Sequence, residues 1–509
     1  KEPIVGLWDV MGLGKSKQII DAAQILYTQG LVNRVLIVAP ASVRFVWMDQ
    51  ELGELRKHLW DNLPAKVILF HGKIRTWSSS ISKESTERPL QFLVTNYEFI
   101  RNKDRREQLF HFCGPKTWLV LDESSLVKSY GAAQTKSCMV LRKRCGRITL
   151  LNGTPIANSP KDLFSQGQLL DKKILDCKTY YNFRGRYGVM GGWQGRQVVQ
   201  WVNIEDLQRR FAPYVLCRRK EDCLDLPEKI PSVIMPAILT EKTWAIYKEM
   251  REEMIVWLNE ATISMAMQAA VKGIRLAQVT SGFLGGVHES GLEEQPDPVI
   301  DRPDFIPFIK KMISEPIIQS NEIRMAPNNL PEPIQDISSE KLDVFLEWFD
   351  QKLVEDPAFK VLVWCRFRPE LHRLFESLTQ RPGVSLGKIW GGQKKQERED
   401  ALRLLDPRTM PKGPVVVMGT PSSGSMGLNL TGAHTVVYMS NDYSLKTRLQ
   451  SEDRVHRPGQ IHAVSYFDMV AVGPKGQKTI DHAIIKALRT KNDIATWTVS
   501  AWLDALKDE

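Results

Sequence analysis

Along the first 150 or so residues, short β-branched and aliphatic runs alternate with stretches whose apolar positions recur at helical spacing. The runs are Ile4–Trp8, Val35–Ala39, Val67–Phe70, Phe92–Thr95, Trp118–Leu121 and Ile148–Leu151. Near-continuous apolar strands separated by amphipathic helices predict a parallel sheet covered on both faces. The pattern returns in the last third of the chain, at Val361–Trp364, Val415–Met418, Thr435–Met439 and Val464–Phe467. Between the two sets the texture changes. From Pro160 to Gly282 the chain reads mostly as helices rich in Arg, Trp and Met, and residues 282–338 carry Pro296, Pro298, Pro303, Pro307, Pro331 and Pro333. Such a stretch reads as an insertion or linker. The expected organisation is a first α/β lobe over 1–165, a helical protrusion over 166–281 and a Pro/Gly-rich insertion or linker over 282–335. A second lobe over 336–490 and a C-terminal helical tail over 491–509 complete it. No solenoid repeat or long low-complexity tract is apparent.

Composition narrows the class only a little. A chain of 509 residues is too long for a single core, so two or more domains are expected. No run approaches the roughly 18 apolar residues of a membrane span, and no signal peptide opens the chain. The seven cysteines include no C-x-x-C pair, which argues against a zinc ribbon and for reduced thiols inside a cell. The expected setting is cytoplasmic, with the nucleus as the alternative. A net charge of +10 fits a polyanionic partner without requiring one. There is no initiator Met, so processing or an upstream segment is expected.

Three motifs carry chemistry. The first is Asp9-Val10-Met11-Gly12-Leu13-Gly14-Lys15-Ser16, followed by Lys17 and a helical stretch. Glycines let backbone amides close around phosphate oxygens at a helix N-terminus; Lys15 would reach the outer phosphates and the Ser16 hydroxyl would sit on Mg²⁺. The pattern's first glycine is here Asp9, and a glycine-rich turn capping a helix would use the same residues. The second motif is Asp122-Glu123 at the end of the apolar run Leu119-Val120-Leu121. A strand end presents one carboxylate to a metal ion (Asp122) and the other to a water (Glu123). A surface turn with two solvated acids is the alternative. The third is Gln450-Ser451-Glu452-Asp453-Arg454-Val455-His456-Arg457-Pro458-Gly459-Gln460. Arg454 and Arg457, three apart, would share a helical face and present two guanidinium groups to a phosphate, unless the segment is simply a solvated charged helix.

Together these motifs resemble helicase superfamily 2, and within it the Swi/Snf-like family of double-stranded DNA translocases. The chain looks like the short bacterial or phage-encoded members, which favours a bacterial or phage-infected cell as its setting. The last motif matches the family's Q-x-x-x-R-x-H-R-x-G-Q in full. Leu36–Trp47, Thr95–Glu98, Gly153-Thr154-Pro155 and Gly427-Leu428-Asn429-Leu430 resemble further family motifs in the right order, and Leu216–Lys229 (LCRRKEDCLDLPEK) resembles the family's L-R-R-x-K segment. The resemblance implies two RecA-like lobes with a helical protrusion between them, binding ATP and Mg²⁺ in the cleft. The phosphate loop would be Met11, Gly12, Leu13, Gly14, Lys15, Ser16 and Lys17, with Ser16 and Asp122 as metal ligands. Lys15, Asp122, Glu123, Gln450, Arg454 and Arg457 would be the catalytic set. DNA would be gripped through its phosphates by Ser42, Arg44, Trp47, Asn96, Tyr97, Arg366, Gly392 and Asn429, contacts that position without reading sequence.

Departures from the family pattern are specific. Val10 replaces an acid beside the phosphate loop, Ser124-Ser125 stands where the family has a small residue and His, and Thr420–Gly427 (TPSSGSMG) lacks one glycine. Only a few residues precede the first strand, too few to supply the adenine-reading glutamine motif that normally lies there. Trp47 and Tyr97 could pack in the core instead of touching DNA, as aromatics at strand ends often do. The cluster Arg209, Arg210, Arg218, Arg219, Lys220 could form a second basic track, brace the lobes through ion pairs or stay solvated. The implied function is an ATP-dependent motor on double-stranded DNA. A strand-separating, branch-migrating or annealing helicase on the same core, and a non-hydrolysing DNA-binding scaffold, are the alternatives.

Overall fold

The computed structural model describes residues 3–41, 43–48, 53–71, 73–78, 89–153, 160–191, 197–260, 266–285, 334–391, 393–421, 423, 429–490 and 492. The chain divides into two compact units at Leu226/Pro227. In unit 1 the strands are β1 (Ile4–Leu7), β2 (Arg34–Ala39), β3 (Ala65–His71), β4 (Lys73–Ser78), β5 (Leu90–Asn96), β6 (Thr117–Leu121) and β7 (Arg147–Leu151). A two-stranded antiparallel ribbon of β8 (Gly188–Gly191) and β9 (Gln197–Trp201) follows, and then β10 (Val215–Leu216). The main sheet runs β10-β1-β7-β6-β2-β5-β3-β4, parallel except for the β3–β4 pair.

Side-chain alternation explains why this sheet is buried twice over. Leu36 and Val38 of β2 join Leu119 and Leu121 of β6 in one core, while Val35 and Ile37 join Val94 and Val120 in the other. Each strand therefore needs apolar residues at consecutive positions, the pattern visible in the sequence.

Unit 2 contains β11 (Val233–Ile238), β12 (Phe283–Leu284), β13 (Gln335–Asp336), β14 (Lys360–Trp364), β15 (Ser385–Ile389), β16 (Val415–Gly419), β17 (Thr435–Tyr438) and β18 (Ser465–Val472). Its six-stranded sheet runs β11-β18-β17-β14-β16-β15 and is parallel throughout; β12 and β13 pair separately. The protein is thus α/β with two parallel-sheet lobes. The segment 166–281 is less purely helical than its texture predicts, since it supplies β10 to the first sheet and β11 to the second. Both are edge strands, and an edge is where β11 can tolerate Pro236, which has no N–H to give a ladder.

This topology decides where chemistry sits. In a parallel sheet all strands point the same way, so the loops after β1, β2, β5, β6 and β7 emerge along one edge. The motifs Asp9–Ser16, Pro40–Trp47, Asn96–Glu98, Asp122–Glu123 and Asn152-Gly153 are those loops.

Candidate functional site

The first motif connects β1 to the helix Lys15–Thr28. Gly12 has φ +86° and Gly14, the residue before the helix, has φ +68° and ψ 32°. These are left-handed conformations that a glycine adopts without strain. Asp9 is not among the positive-φ residues, so the glycine missing from the pattern's first position is not needed for backbone shape. Lys15 opens the helix, and its Nζ donates to the carbonyls of Asp9 at 2.7 Å and Val10 at 3.3 Å. Ser16 is the second helical residue and is half-buried. Lys17 is exposed and ion-paired with Asp21 one turn on, which leaves it on the solvent side of the helix. A Cβ added to Gly153, two residues after β7, would lie 2.5 Å from Met11 Cγ, so a side chain there would displace Met11.

Asp122 and Glu123 follow β6. Asp122 Oδ2 accepts from Trp47 Nε1 at 2.8 Å, its Oδ1 from the Glu123 N–H at 2.9 Å, and its carbonyl from Tyr97 Oη at 2.7 Å. Glu123 has φ 51° and ψ 53°, a left-handed backbone that bends the chain sharply and separates the two acid side chains. Burial, with the neighbouring Glu123 charge added, pushes the Asp122 carboxyl up to about 6; the Trp47 hydrogen bond and the Lys15 charge act against the rise. A divalent cation beside Asp122 would relieve both causes. With the Ser16 hydroxyl, the available donors are hard oxygens, few in number, and fit Mg²⁺ held largely through substrate phosphates.

The structure places part of the expected DNA contact set inward. Trp47 and Tyr97 are each 1% exposed, pack into the two cores and turn their polar ends on Asp122. Asn96 is also 1% exposed, and its side chain caps the helix Tyr97–Arg101 by accepting from Phe99 N at 2.9 Å. All three are committed inward, because aromatic bodies and a helix cap gain more from packing than from solvent. Ser42, Gly392, Thr154-Pro155 and Gly427-Leu428 lie outside the described residues, as does the Arg44 side chain, although Arg44 begins the helix Arg44–Met48. In unit 2, Arg366 follows β14 with its guanidinium 5.1 Å from the Phe367 ring, and Asn429 is exposed.

The expected helical face for the two arginines is also corrected. The helix Leu445–Glu452 carries Gln450, but it ends before Arg454 and Arg457, which lie in the turns that follow. Those turns are fixed from several sides. Arg454 O accepts from Leu430 N at 3.0 Å, His456 Nε2 pairs with Pro227 O at 2.8 Å, and Lys229 meets Glu452 at 2.5 Å. The Gln460 amide donates to Thr431 O and Ala433 O at 3.2 and 2.9 Å and accepts from Ile461 N and His462 N. Two half-buried arginines therefore sit on a stiff turn instead of a helix face.

Residues that motif reading missed support these groups. Arg448 is buried between Glu452 and Asp468, 2.5 Å from each, with its guanidinium 3.5 Å from the Tyr438 ring centroid. An arginine two turns before the motif's Arg454, with no role in the pattern, was the available signal. The basic cluster does not form one track. Arg210 pairs with Asp206, Arg218 with Asp9, and Lys220 is buried, while Arg209 is exposed.

Comparison with known proteins places the chain in a family. The SNF2-related domain matches residues 6–280, more than half of the chain, and the helicase conserved C-terminal domain matches residues 340–459. The chain belongs to the SNF2-related family. It is similar to the SNF2 domain-containing protein ENL1 of Oryza sativa subsp. japonica, 24% identical over 94% of this chain and 48% of the relative. It is likewise similar to the lymphoid-specific helicase of Homo sapiens, 23% identical over 94% of this chain and 59% of that protein. It spans from 26% to 59% of the length of such curated relatives. Among solved structures, the Sulfolobus solfataricus SWI2/SNF2 ATPase core in complex with dsDNA aligns with 99% of this chain and 92% of its own, at 20% identity and a TM-score of 0.37. Among the described residues, no helix is long and apolar enough to cross a membrane.

Proposed function

We propose that the chain is an ATP-driven motor that tracks along double-stranded DNA. The observation that carries this reading is the convergence, at one edge of one parallel sheet, of a phosphate loop with Lys15 and the acid pair Asp122–Glu123. Membership of the SNF2-related family supports it. The nucleotide's phosphates would lie over Met11–Lys17, with Lys15 leaving the carbonyls of Asp9 and Val10 to reach them. Ser16 and Asp122 would hold Mg²⁺, which supplies charge neutralisation at the phosphates when bound. Trp47 fixes the direction of the Asp122 carboxylate, and Glu123 orients a water or takes its proton. Arg454 and Arg457, with Gln450 nearby on the preceding helix, would supply positive charge during hydrolysis. Arg366 and Asn429 of unit 2, together with Ser42, Arg44 and Gly392, are proposed to contact the DNA backbone. In this reading the motor lobes correspond to 1–165 and 336–490, and the intervening segment 166–281 is shared between the units at Leu226/Pro227.

The test is steady-state ATP hydrolysis with no nucleic acid, with single-stranded DNA and with duplex DNA. Stimulation greatest with duplex is expected, with an affinity that falls as salt rises because the contacts are to phosphates. Hydrolysis absent under all three conditions, or indifferent to duplex, would overturn the reading.

A further inference from the structure

We propose that Arg218 is a positioning residue of the nucleotide site, acting through Asp9 to hold the phosphate loop in its binding shape and to cancel a carboxylate beside it. The inference rests on the ATP reading above. Asp9 stands where the phosphate-loop pattern begins with glycine, and it is fully buried. A buried carboxylate close to a triphosphate would be strongly unfavourable without a counter-charge. Arg218 supplies one in two-pronged form, Nε to Oδ1 at 3.1 Å and Nη2 to Oδ2 at 2.6 Å. Gln18, on the first helix, donates from Nε2 to Asp9 Oδ2 at 3.0 Å and to Leu13 O at 2.9 Å. Its side-chain oxygen accepts from Arg218.

The pair bears directly on Lys15, because the carbonyl that receives the Lys15 ammonium at 2.7 Å belongs to the same Asp9. The backbone repeats the connection. Trp8 N donates to Leu216 O at 2.7 Å and Val10 N to Arg218 O at 3.1 Å, continuing the β1–β10 pairing past the strand ends. Residues 215–220 thus form an outer wall of the loop. Buried Lys220 passes so near Gly12 that a Cβ there would lie 3.2 Å from its Cε. A neutral replacement of Arg218 leaves the Asp9 charge facing the phosphates, and the loss falls on phosphate binding specifically. Lysine is not equivalent, since it cannot grip both carboxylate oxygens in a planar fork.

The experiment measures equilibrium binding of MgATP and of adenosine to the full chain as wild type, R218Q, R218K and the double variant D9N/R218Q, each checked for thermal unfolding. R218Q is expected to weaken MgATP about tenfold or more, R218K less, while adenosine affinity stays unchanged. In steady state the KM for ATP should rise while kcat at saturating ATP is largely kept. D9N/R218Q, with no charge left to neutralise, should recover most of the MgATP affinity, and it carries the test if R218Q alone fails to fold. Equal losses for MgATP and adenosine, an unaltered MgATP affinity in R218Q, or a folded double variant that still binds MgATP weakly would each overturn the inference. Wild-type protein that binds no MgATP would instead overturn the nucleotide reading itself, and the inference with it.

Discussion

The indole Nε1 of Trp47 donates to Asp122 Oδ2 at 2.8 Å, joining a buried aromatic after β2 to an acid after β6. A position expected to grip DNA therefore serves the acid that we propose to face the metal. The substitution W47F keeps most of the packing and deletes the donor. A hydrogen bond to a charged group contributes about 1.5–3 kcal/mol, so ATP turnover should fall by about tenfold or more. Duplex affinity, measured by anisotropy without nucleotide, should stay within about twofold of wild type. A W47F protein with full turnover and lost DNA binding would return Trp47 to the DNA surface.

Substitutions at Lys15 and Glu123 are expected to separate binding from chemistry. K15A removes the cation now lodged on the Asp9 and Val10 carbonyls and should weaken nucleotide binding or its productive alignment. E123Q keeps the shape of the side chain while removing its charge and basicity, so ATP should bind and persist unhydrolysed. Filter binding and single-turnover hydrolysis distinguish the two outcomes. Wild-type turnover in either variant would remove these roles.

The strands of both sheets were the most legible part of the sequence, because a strand buried on two faces must be apolar at every position and little else in a soluble protein is. All ten runs read from the pattern became strands of the two main sheets. The edge strands were not legible. β15 (SLGKI) is only partly buried, and β11 (VIMPAI) has a proline in its middle, so neither shows the continuous pattern of a central strand. The loop Asp9–Ser16 and the acid pair after β6 stood out because the chemistry proposed for them demands fixed residue types at fixed spacing. The supporting contacts were not. Trp47 reaches Asp122, Arg218 reaches Asp9 and Arg448 reaches Asp468 only once parallel strands have brought distant loops to one edge. Nor does spacing alone reveal that a helix stops at Glu452.

Arg454 and Arg457 sit on a turn whose backbone and neighbours are held by Leu430, Pro227 and Gln460. R454A and R457A should each slow duplex-stimulated hydrolysis far more than they weaken ATP binding. An arginine finger contributes about 10³–10⁵ in rate in the best-studied nucleotide hydrolases, which sets the upper range expected here. Circular dichroism and thermal unfolding would check that the turn's neighbours are undisturbed. Both variants hydrolysing ATP normally would make the arginines structural.

Glu452 gives unit 2 an acid limit. Burial would raise its carboxyl, but the charges and hydrogen bonds of Lys229 and Arg448 outweigh burial and hold it at about 2, below the usual 4.5. A depressed folded-state value means that the stabilisation is present above the unfolded value and disappears as pH falls through the folded one. The corresponding contribution at neutral pH is about 3 kcal/mol. Stability should therefore decline between pH 4.5 and about 2. E452Q should be less stable at pH 7, where it leaves Lys229 and Arg448 short of negative charge, and should show a flatter decline in that acid window. Urea unfolding at a series of pH values measures both. Parallel pH profiles for wild type and E452Q would rule out this pair as the source.

Movement on duplex can be separated from strand opening. A motor that tracks one backbone while both strands stay paired needs phosphate contacts and no wedge. A strand separator needs an aromatic pin or hairpin placed at the fork. Trp390 is the aromatic nearest to such a role in unit 2, and it is engaged by two neighbours: the Arg368 guanidinium lies 5.1 Å from its ring and the His372 ring meets it edge-on at 5.4 Å. Held in that way between neighbours of its own unit, it does not project as a free wedge. The protein should therefore displace a third strand from a duplex-borne triplex in an ATP-dependent manner while leaving a forked duplex largely closed. Triplex displacement should vanish in E123Q if hydrolysis drives it, and should weaken as salt rises. Efficient ATP-dependent opening of the fork with no triplex displacement would replace the translocase by a strand-separating helicase.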